Sequence, residues 1–188
     1  MKRRCMVSGA LFVFLFITTS ANGRRGIVGT KAPEVWASEW RNLPAGEERF
    51  SVIQNRGKVI YLFFFQSWCP GCHSRGFPTL NQVIGAFKNN KDVVFATIQT
   101  VFEGMAVNSP SKAVSTAKEF GLSIPIGHDS GRSGQRSLTM NRYRSGGTPW
   151  VVIIDRSGHV RFDGFHIKPK RAINLVKSLL EAPAISLP

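Results

Sequence analysis

The sequence predicts an α/β protein in which a central β-sheet is flanked by helices, with an N-terminal β-hairpin extension. Three observations carry that reading. Val59 to Phe65 and Val93 to Val101 are apolar runs rich in β-branched and aromatic residues without alternation, the pattern of strands buried on both faces. A segment of helical period follows the first, and a segment bounded by helix-capping signals follows the second. A Thr148-Pro149 step then leads into Trp150 to Ile154, and an Asp155-Arg156-Ser157-Gly158 turn joins that strand to His159 to Phe165 as a hairpin.

At 188 residues the chain is long enough for one well-cored domain, and 43% hydrophobic residues place it among ordinary globular proteins rather than disordered ones. Residues 1–21 have the pattern of a secretory leader: Lys2, Arg3 and Arg4, an apolar stretch from Val7 to Ile17, then Thr19-Ser20-Ala21 as a small-residue cleavage site. An uncleaved anchor over residues 7–20 is the alternative, although the run is shorter than the ~20 residues of a comfortable span. The expected location is extracytoplasmic, periplasmic or secreted. Residues 22–181 form the expected domain, and 182–188 a tail.

The formal net charge of +14 falls to +11 once Lys2, Arg3 and Arg4 leave with the leader. The remaining basic residues are scattered, without regular aromatic interleaving, and read as a solvated face rather than a nucleic-acid site. Attraction to an anionic membrane surface or to an acidic partner fits such a charge better.

The chain has three cysteines. Cys5 lies in the leader, so only Cys69 and Cys72 remain for the mature protein. An exported chain that spends its whole cysteine supply on one CxxC is not stapling itself with disulfides, which favours redox or cofactor chemistry.

In chain order, Val35 to Leu43 and Phe50 to Ile53, separated by Pro44-Ala45-Gly46, predict the hairpin of the N-terminal cover. Val59 to Phe65 is the central strand, and it delivers Trp68 and Cys69 to its C-terminal end, where open sheets place their sites. Phe77, Leu80, Val83, Ile84 and Phe87 carry the period of a helix starting at Pro70, with Pro78 expected to kink or break it. Val93 to Val101 is the second strand. Ser109-Pro110 opens a helix that Gly121 closes after Phe120. Leu122 to Ile126 is a short strand, followed by a Gly-, Ser- and Arg-rich surface loop over Gly127 to Ser137. Pro169 to Glu181 is amphipathic and closes the domain.

Trp68-Cys69-Pro70-Gly71-Cys72-His73 is the centre of the chemistry. At a helix start, two cysteines two residues apart sit on one turn, and the first sulfur faces free backbone N–H groups whose partial positive charge favours thiolate. Position therefore makes Cys69 the attacking sulfur and Cys72 the resolving one. The same letters spell CxxCH, the c-type haem attachment motif, with His73 as axial ligand and Met105 or Met140 as a second. A copper-handling site built from Cys69, Cys72 and His128 or His166 is a third reading. A peroxiredoxin is disfavoured, since Gln66 and Leu62 stand where its Thr and Pro would be.

Ala32-Pro33, Gly57-Lys58-Val59, Trp68-Cys69-Pro70-Gly71-Cys72, Gly147-Thr148-Pro149 and Ile154-Asp155 with Gly158 resemble, over about residues 30 to 181, the exported TlpA-type thiol-disulfide oxidoreductases. The resemblance implies the thioredoxin-like fold with a central mixed sheet. It also implies a redox-active Cys69-Cys72 pair, protein thiols or disulfides as partners, an upstream membrane or soluble electron donor, and no cofactor or metal. Pro149 is implied as a cis-proline facing the cysteines, with Trp68, Thr148 and Pro149 holding the substrate.

Two departures stand out. Where relatives carry an acidic residue three positions after the second cysteine, this chain has Arg75, and where thioredoxins bury an acid on the central strand it has Phe63. His73 and Arg75 are the candidates for tuning the thiolate in their place. Pro78 also falls six rather than five residues after Cys72, and the extra residue predicts a bulge in the first helix.

Overall fold

The computed structural model describes residues 25–132 and 136–182. The leader expected over 1–21 and the tail beyond Ala182 lie outside the described residues. Six strands, β1 (Glu39–Arg41), β2 (Val59–Phe65), β3 (Val93–Thr100), β4 (Ile126–Asp129), β5 (Trp150–Ile154) and β6 (Val160–Gly164), form one sheet in the order β1-β4-β3-β2-β5-β6. The sheet is mixed: β2, β3 and β4 are parallel, while β5 runs antiparallel to β2 and β6 to β5. The helices are α1 (Phe77–Phe87), α2 (Pro110–Glu119), α3 (Leu138–Arg142) and α4 (Pro169–Glu181).

All seven residues of β2 are buried, as the absence of alternation required. Its odd-numbered side chains, Tyr61, Phe63 and Phe65, pack with Phe77, Leu80 and Val83 of α1, Ala113 and Ala117 of α2, and Ala172 and Val176 of α4. Its even-numbered ones, Ile60, Leu62 and Phe64, pack on the other face against Val35, Phe50, Val52 and Tyr143. Parallel crossovers running in one direction along the sheet put α1 and α2 on the same face. The N-terminal segment is what remains to cover the other.

That cover differs in detail from the expected hairpin. Only Glu39–Arg41 forms a strand, and it pairs antiparallel with β4 rather than with the Phe50 to Ile53 stretch. The reason is Glu34, whose carboxylate accepts from the N–H groups of Val52 and Ile53 and from the Ser51 hydroxyl. These donors are spent on a side chain, so the stretch closes as a turn with Phe50 and Val52 buried beneath it.

The strand placed at Leu122 to Ile126 lies instead at Ile126–Asp129, so the first residues of the expected surface loop are buried sheet. Gly127 is there because a side chain would not fit: a Cβ would come within 3.0 Å of Ala37 and of the Trp40 ring. Asp129 accepts from the Ser137 hydroxyl and from the N–H groups of Leu138 and Thr139, fixing the start of α3, a helix the sequence reading did not contain.

The first helix begins at Pro70 as expected, and the extra residue before Pro78 is accommodated by a π-helical turn over Cys72–Gly76. Pro78 then falls in the first turn of α1, where its missing N–H costs nothing, and so does not break it. The turn brings Gly76 against the sheet: a Cβ there would lie 2.5 Å from Phe63 Cζ and 3.2 Å from Pro149 Cβ. Gly76→Ala is therefore expected to destabilise the protein by roughly 1–3 kcal/mol through overpacking against a ring that cannot move aside. The measurement is a urea titration, with a lower midpoint at unchanged slope.

Candidate active site

β2 ends at Phe65, and the chain turns through Gln66, Ser67 and Trp68 before the helix starts. Cys69 occupies the cap position. Its carbonyl accepts from the N–H groups of Cys72 and His73, at 3.0 and 3.2 Å, and its Sγ accepts from the N–H of Cys72 at 3.2 Å. Pro70, the first residue inside the helix, has no N–H to leave unsatisfied. Both cysteines are free thiols; Cys72 is fully buried and Cys69 is 5% exposed.

The two sulfurs differ sharply. The Cys72 thiol hydrogen-bonded to Cys69 pulls the Cys69 pKa down to about 6, against the opposing effect of burial, with help from the Thr148 side chain and the N–H groups of Cys72 and Gly71. Burial pushes the Cys72 thiol far up, and its hydrogen bond to the Cys69 sulfur pushes the same way. One sulfur is thus held for the thiolate while the other keeps the proton.

The Thr148-Pro149 peptide bond is cis, as the resemblance implied. Pro149 faces the helix start, with its Cδ 3.2 Å from where a Cβ on Gly71 would be. Trp68 stands 44% exposed beside Cys69. The structure therefore brings Trp68, Cys69, Cys72, Thr148 and Pro149 to one place at the C-terminal end of the central strand.

His73 and Arg75 are not part of that group. The His73 ring bonds the Ser67 carbonyl through Nε2 at 2.8 Å, lies edge-on to Phe77 and Phe120, and has Nδ1 3.9 Å from Glu119. Arg75 is exposed on the π-helical turn. Neither figures among the groups acting on the Cys69 thiol, and no carboxylate does. Phe63 fills the space under the helix start, edge-on to Phe77 at 5.0 Å.

The geometry also disposes of the haem reading. Thioether attachment needs both sulfurs and the ring nitrogen open to one space, but Cys72 is fully buried and His73 Nε2 is engaged by Ser67. His128 is buried on β4 with Nδ1 against Gln99, and His166 is exposed after β6. Among the described residues no three His, Cys, Asp or Glu side chains gather in a metal-holding cluster.

The sequence reading missed a buried polar network behind the motif. Gln99 Nε2 donates to Ser67 Oγ at 2.6 Å, and Asn108 Oδ1 accepts from the N–H of Ser67 at 2.9 Å. Asn108 Nδ2 donates to Gln66 Oε1 at 3.2 Å. The only signal was two glutamines at the ends of otherwise apolar strands.

A family model described as Redoxin matches residues 27–179. The chain belongs to the Redoxin family. The thiol-disulfide oxidoreductase ResA of Geobacillus kaustophilus is 29% identical over 135 residues, covering 71% of this chain and 67% of that protein. A crystal structure of a thioredoxin-like superfamily protein superposes with a TM-score of 0.74 at 31% identity, covering 82% of this chain and 98% of the other. A thiol-disulfide isomerase from Corynebacterium glutamicum superposes with a TM-score of 0.68 at 32% identity, covering 80% and 97%. This Redoxin protein is accordingly a thioredoxin-like thiol-disulfide oxidoreductase.

Cys69 alkylation by iodoacetamide in the reduced protein should rise with pH about a midpoint near 6, because the thiolate is the reacting form. Cys72→Ala removes the largest lowering influence, so its midpoint should move up. The folded pKa lies below the ordinary thiol value, so the associated stability of the reduced form is present above that value and lost as pH falls through about 6. Rate against pH for the two proteins checks the sign.

Proposed function

We propose that the protein is an exported TlpA-type reductase of protein disulfides, with Cys69 attacking and Cys72 resolving. The observation that carries this reading is the asymmetry of the two sulfurs: a thiolate-prone Cys69 at the rim and a protonated, fully buried Cys72 behind it. Cys69 thiolate attacks one sulfur of a partner disulfide. The Cys69–partner bond forms, the partner S–S bond breaks, and the departing thiolate takes a proton from solvent. Cys72 then loses its proton and attacks Cys69 Sγ, closing the internal disulfide and releasing the second partner thiolate. Two electrons pass to the partner, and a membrane-bound or soluble dithiol donor must return them for another cycle.

Trp68 and the Thr148-Pro149 step hold the partner in this scheme. Among the described residues the backbone N–H and carbonyl of Thr148 enter no hydrogen bond, which supports pairing with an extended partner strand. The leader pattern over residues 1–21 supports export ahead of a domain over 22–181, with 7–20 as an anchor if the leader is retained. Among the described residues no helix is long and apolar enough to cross a membrane. The excess of Lys and Arg supports peripheral attraction to anionic lipid.

Electron flow toward partners is supported by the size of the Cys69 shift. Strong oxidants of this chemistry hold their attacking cysteine near ~3.5, whereas thioredoxin holds its own near ~7. A value of about 6 stands nearer the second. The reduction potential is expected closer to about −270 mV than to about −120 mV, measured by equilibration with dithiothreitol. Cys72→Ala should trap partners as mixed disulfides, separable on a non-reducing gel, and Cys69→Ala should abolish both trapping and turnover. Full dithiol-exchange activity in Cys69→Ala would sink the mechanism.

A further inference from the structure

β2 lies between β3 on one side and β5 on the other, and its backbone groups face the two in alternation. The Val59 N–H donates toward β3, to the Asp92 carbonyl, so Ile60, Leu62, Phe64 and Gln66 face β5. The β2–β5 ladder ends at the Phe64–Trp150 pair, before it reaches Gln66. Gln66 is fully buried, yet among the described residues no oxygen accepts from its N–H. A buried N–H without an oxygen partner is rare in a folded protein. The group it does act on is the Cys72 sulfur, which it favours as thiolate. Within the turn from Gln66 to Trp68 it is the one group that acts on either sulfur.

That N–H is held in place by the residues around it. The Gln66 carbonyl accepts from the Cys69 N–H at 3.0 Å, and Gln66 Oε1 accepts from Nδ2 of Asn108, itself 2% exposed. Ser67 is gripped at every polar group it has. Its N–H donates to Asn108 Oδ1 at 2.9 Å, its Oγ accepts from Gln99 Nε2 at 2.6 Å, and its carbonyl accepts from His73 Nε2 at 2.8 Å. Gln99 is fully buried, and the His128 Nδ1 on its Oε1 fixes which way the amide faces. A turn satisfied through such a buried network keeps its N–H groups aimed in one direction.

We infer that the Gln66 N–H receives the negative charge of Cys72 in the resolving step, and that Ser67, gripped by Asn108 and Gln99, is the residue positioning it. In that step the Cys72 thiol gives its proton to water and Cys72 Sγ attacks Cys69 Sγ. The Cys69–Cys72 bond forms, and the Cys69–partner bond breaks with its electron pair leaving on the partner sulfur. Charge stands on Cys72 only between these events, so a donor already aimed at it lowers the barrier without reorganising. The Thr148 side chain acts on both sulfurs, whereas the Gln66 N–H acts on Cys72 and not on Cys69. The inference rests on Cys69 attacking and Cys72 resolving, and adds what stabilises the second step.

The test mixes the reduced full-length protein with the aromatic disulfide dithiobis(nitrobenzoate) in a stopped-flow spectrometer. Attack by Cys69 releases one nitrothiobenzoate and resolution by Cys72 releases another, the second phase being independent of reagent concentration. Ser67→Ala, at a partly exposed residue and so compatible with folding, should slow the second phase by roughly tenfold, the scale of a displaced hydrogen bond to a charged group, and the first phase far less. Gln99→Met should show the same split, and Ser67→Thr, which keeps the hydroxyl, should return the second phase to the wild-type rate. General destabilisation does not separate the two phases. Both phases slowed by one factor, or a second phase unchanged in Ser67→Ala and Gln99→Met, would overturn the inference and leave the dithiol mechanism standing. A wild-type protein that releases no second equivalent would overturn both.

Discussion

A thiolate gains far more from a hydrogen bond than a thiol does, because the acceptor carries full charge. At the start of the first helix that difference is directed at one atom: Cys69 Sγ takes the Cys72 N–H at 3.2 Å and the Cys72 thiol proton as well. Each donor holds Cys69 toward the charged form, and the thiol donor is itself kept protonated by full burial. The arrangement depends on the helix beginning at residue 70, since only then does the backbone at residue 72 point at the side chain of residue 69. Pro70 sets that start without adding an unsatisfied donor, and β2, buried along its whole length, fixes where the helix begins.

The rest of the fold bears on the same few atoms. The π-helical turn at Cys72–Gly76 takes up the extra residue beyond the cysteines, so neither the cap nor the packing of α1 has to shift. Gly76 then lies against Phe63 and Pro149 with no room for a side chain, which joins the helix start, the central strand and the Thr148-Pro149 step. From the far side, Asp163 on β6 accepts from the Trp150 indole N–H and from the N–H of Ile27 at 2.6 Å, tying the N-terminal cover to the residue that follows Pro149. The Thr148-Pro149 step is therefore braced from both faces of the sheet.

Much of this was legible in the residues, and where it was not the cause is physical. Unbroken apolar runs gave β2, β3 and β5, and Ser109-Pro110 with Gly121 gave α2, because burial and capping are local signals. The Cys69-Cys72 pair and Pro149 were legible as a constellation. β4 was placed too early because its letters, Gly127, His128 and Asp129, are those of a loop. They are buried only because Trp40, Gln99 and Ser137 arrive from elsewhere in the chain. The N-terminal hairpin failed for a like reason, Glu34 capping a turn from 17 or more residues away in sequence. The expectation that His73 tunes the sulfur treated sequence adjacency as proximity, whereas the π-helical turn directs the ring to Ser67 and the Phe77 and Phe120 faces.

The two acids absent from this chain are the most instructive departure. A carboxylate beneath the cysteines would lie in an apolar layer formed by Phe63, Phe65 and Phe77, where an unpaired charge is costly and its protonation would couple to the thiols. With Phe63 there instead, the layer is apolar, and the Cys72 proton is held by burial together with its hydrogen bond to the Cys69 sulfur. Once Cys69 is bonded to a partner it is no longer a charged acceptor, and the hydrogen bond that opposed deprotonation of Cys72 weakens. In the proposed scheme the pair thus carries its own timing: Cys72 is released for attack by the event that makes resolution necessary.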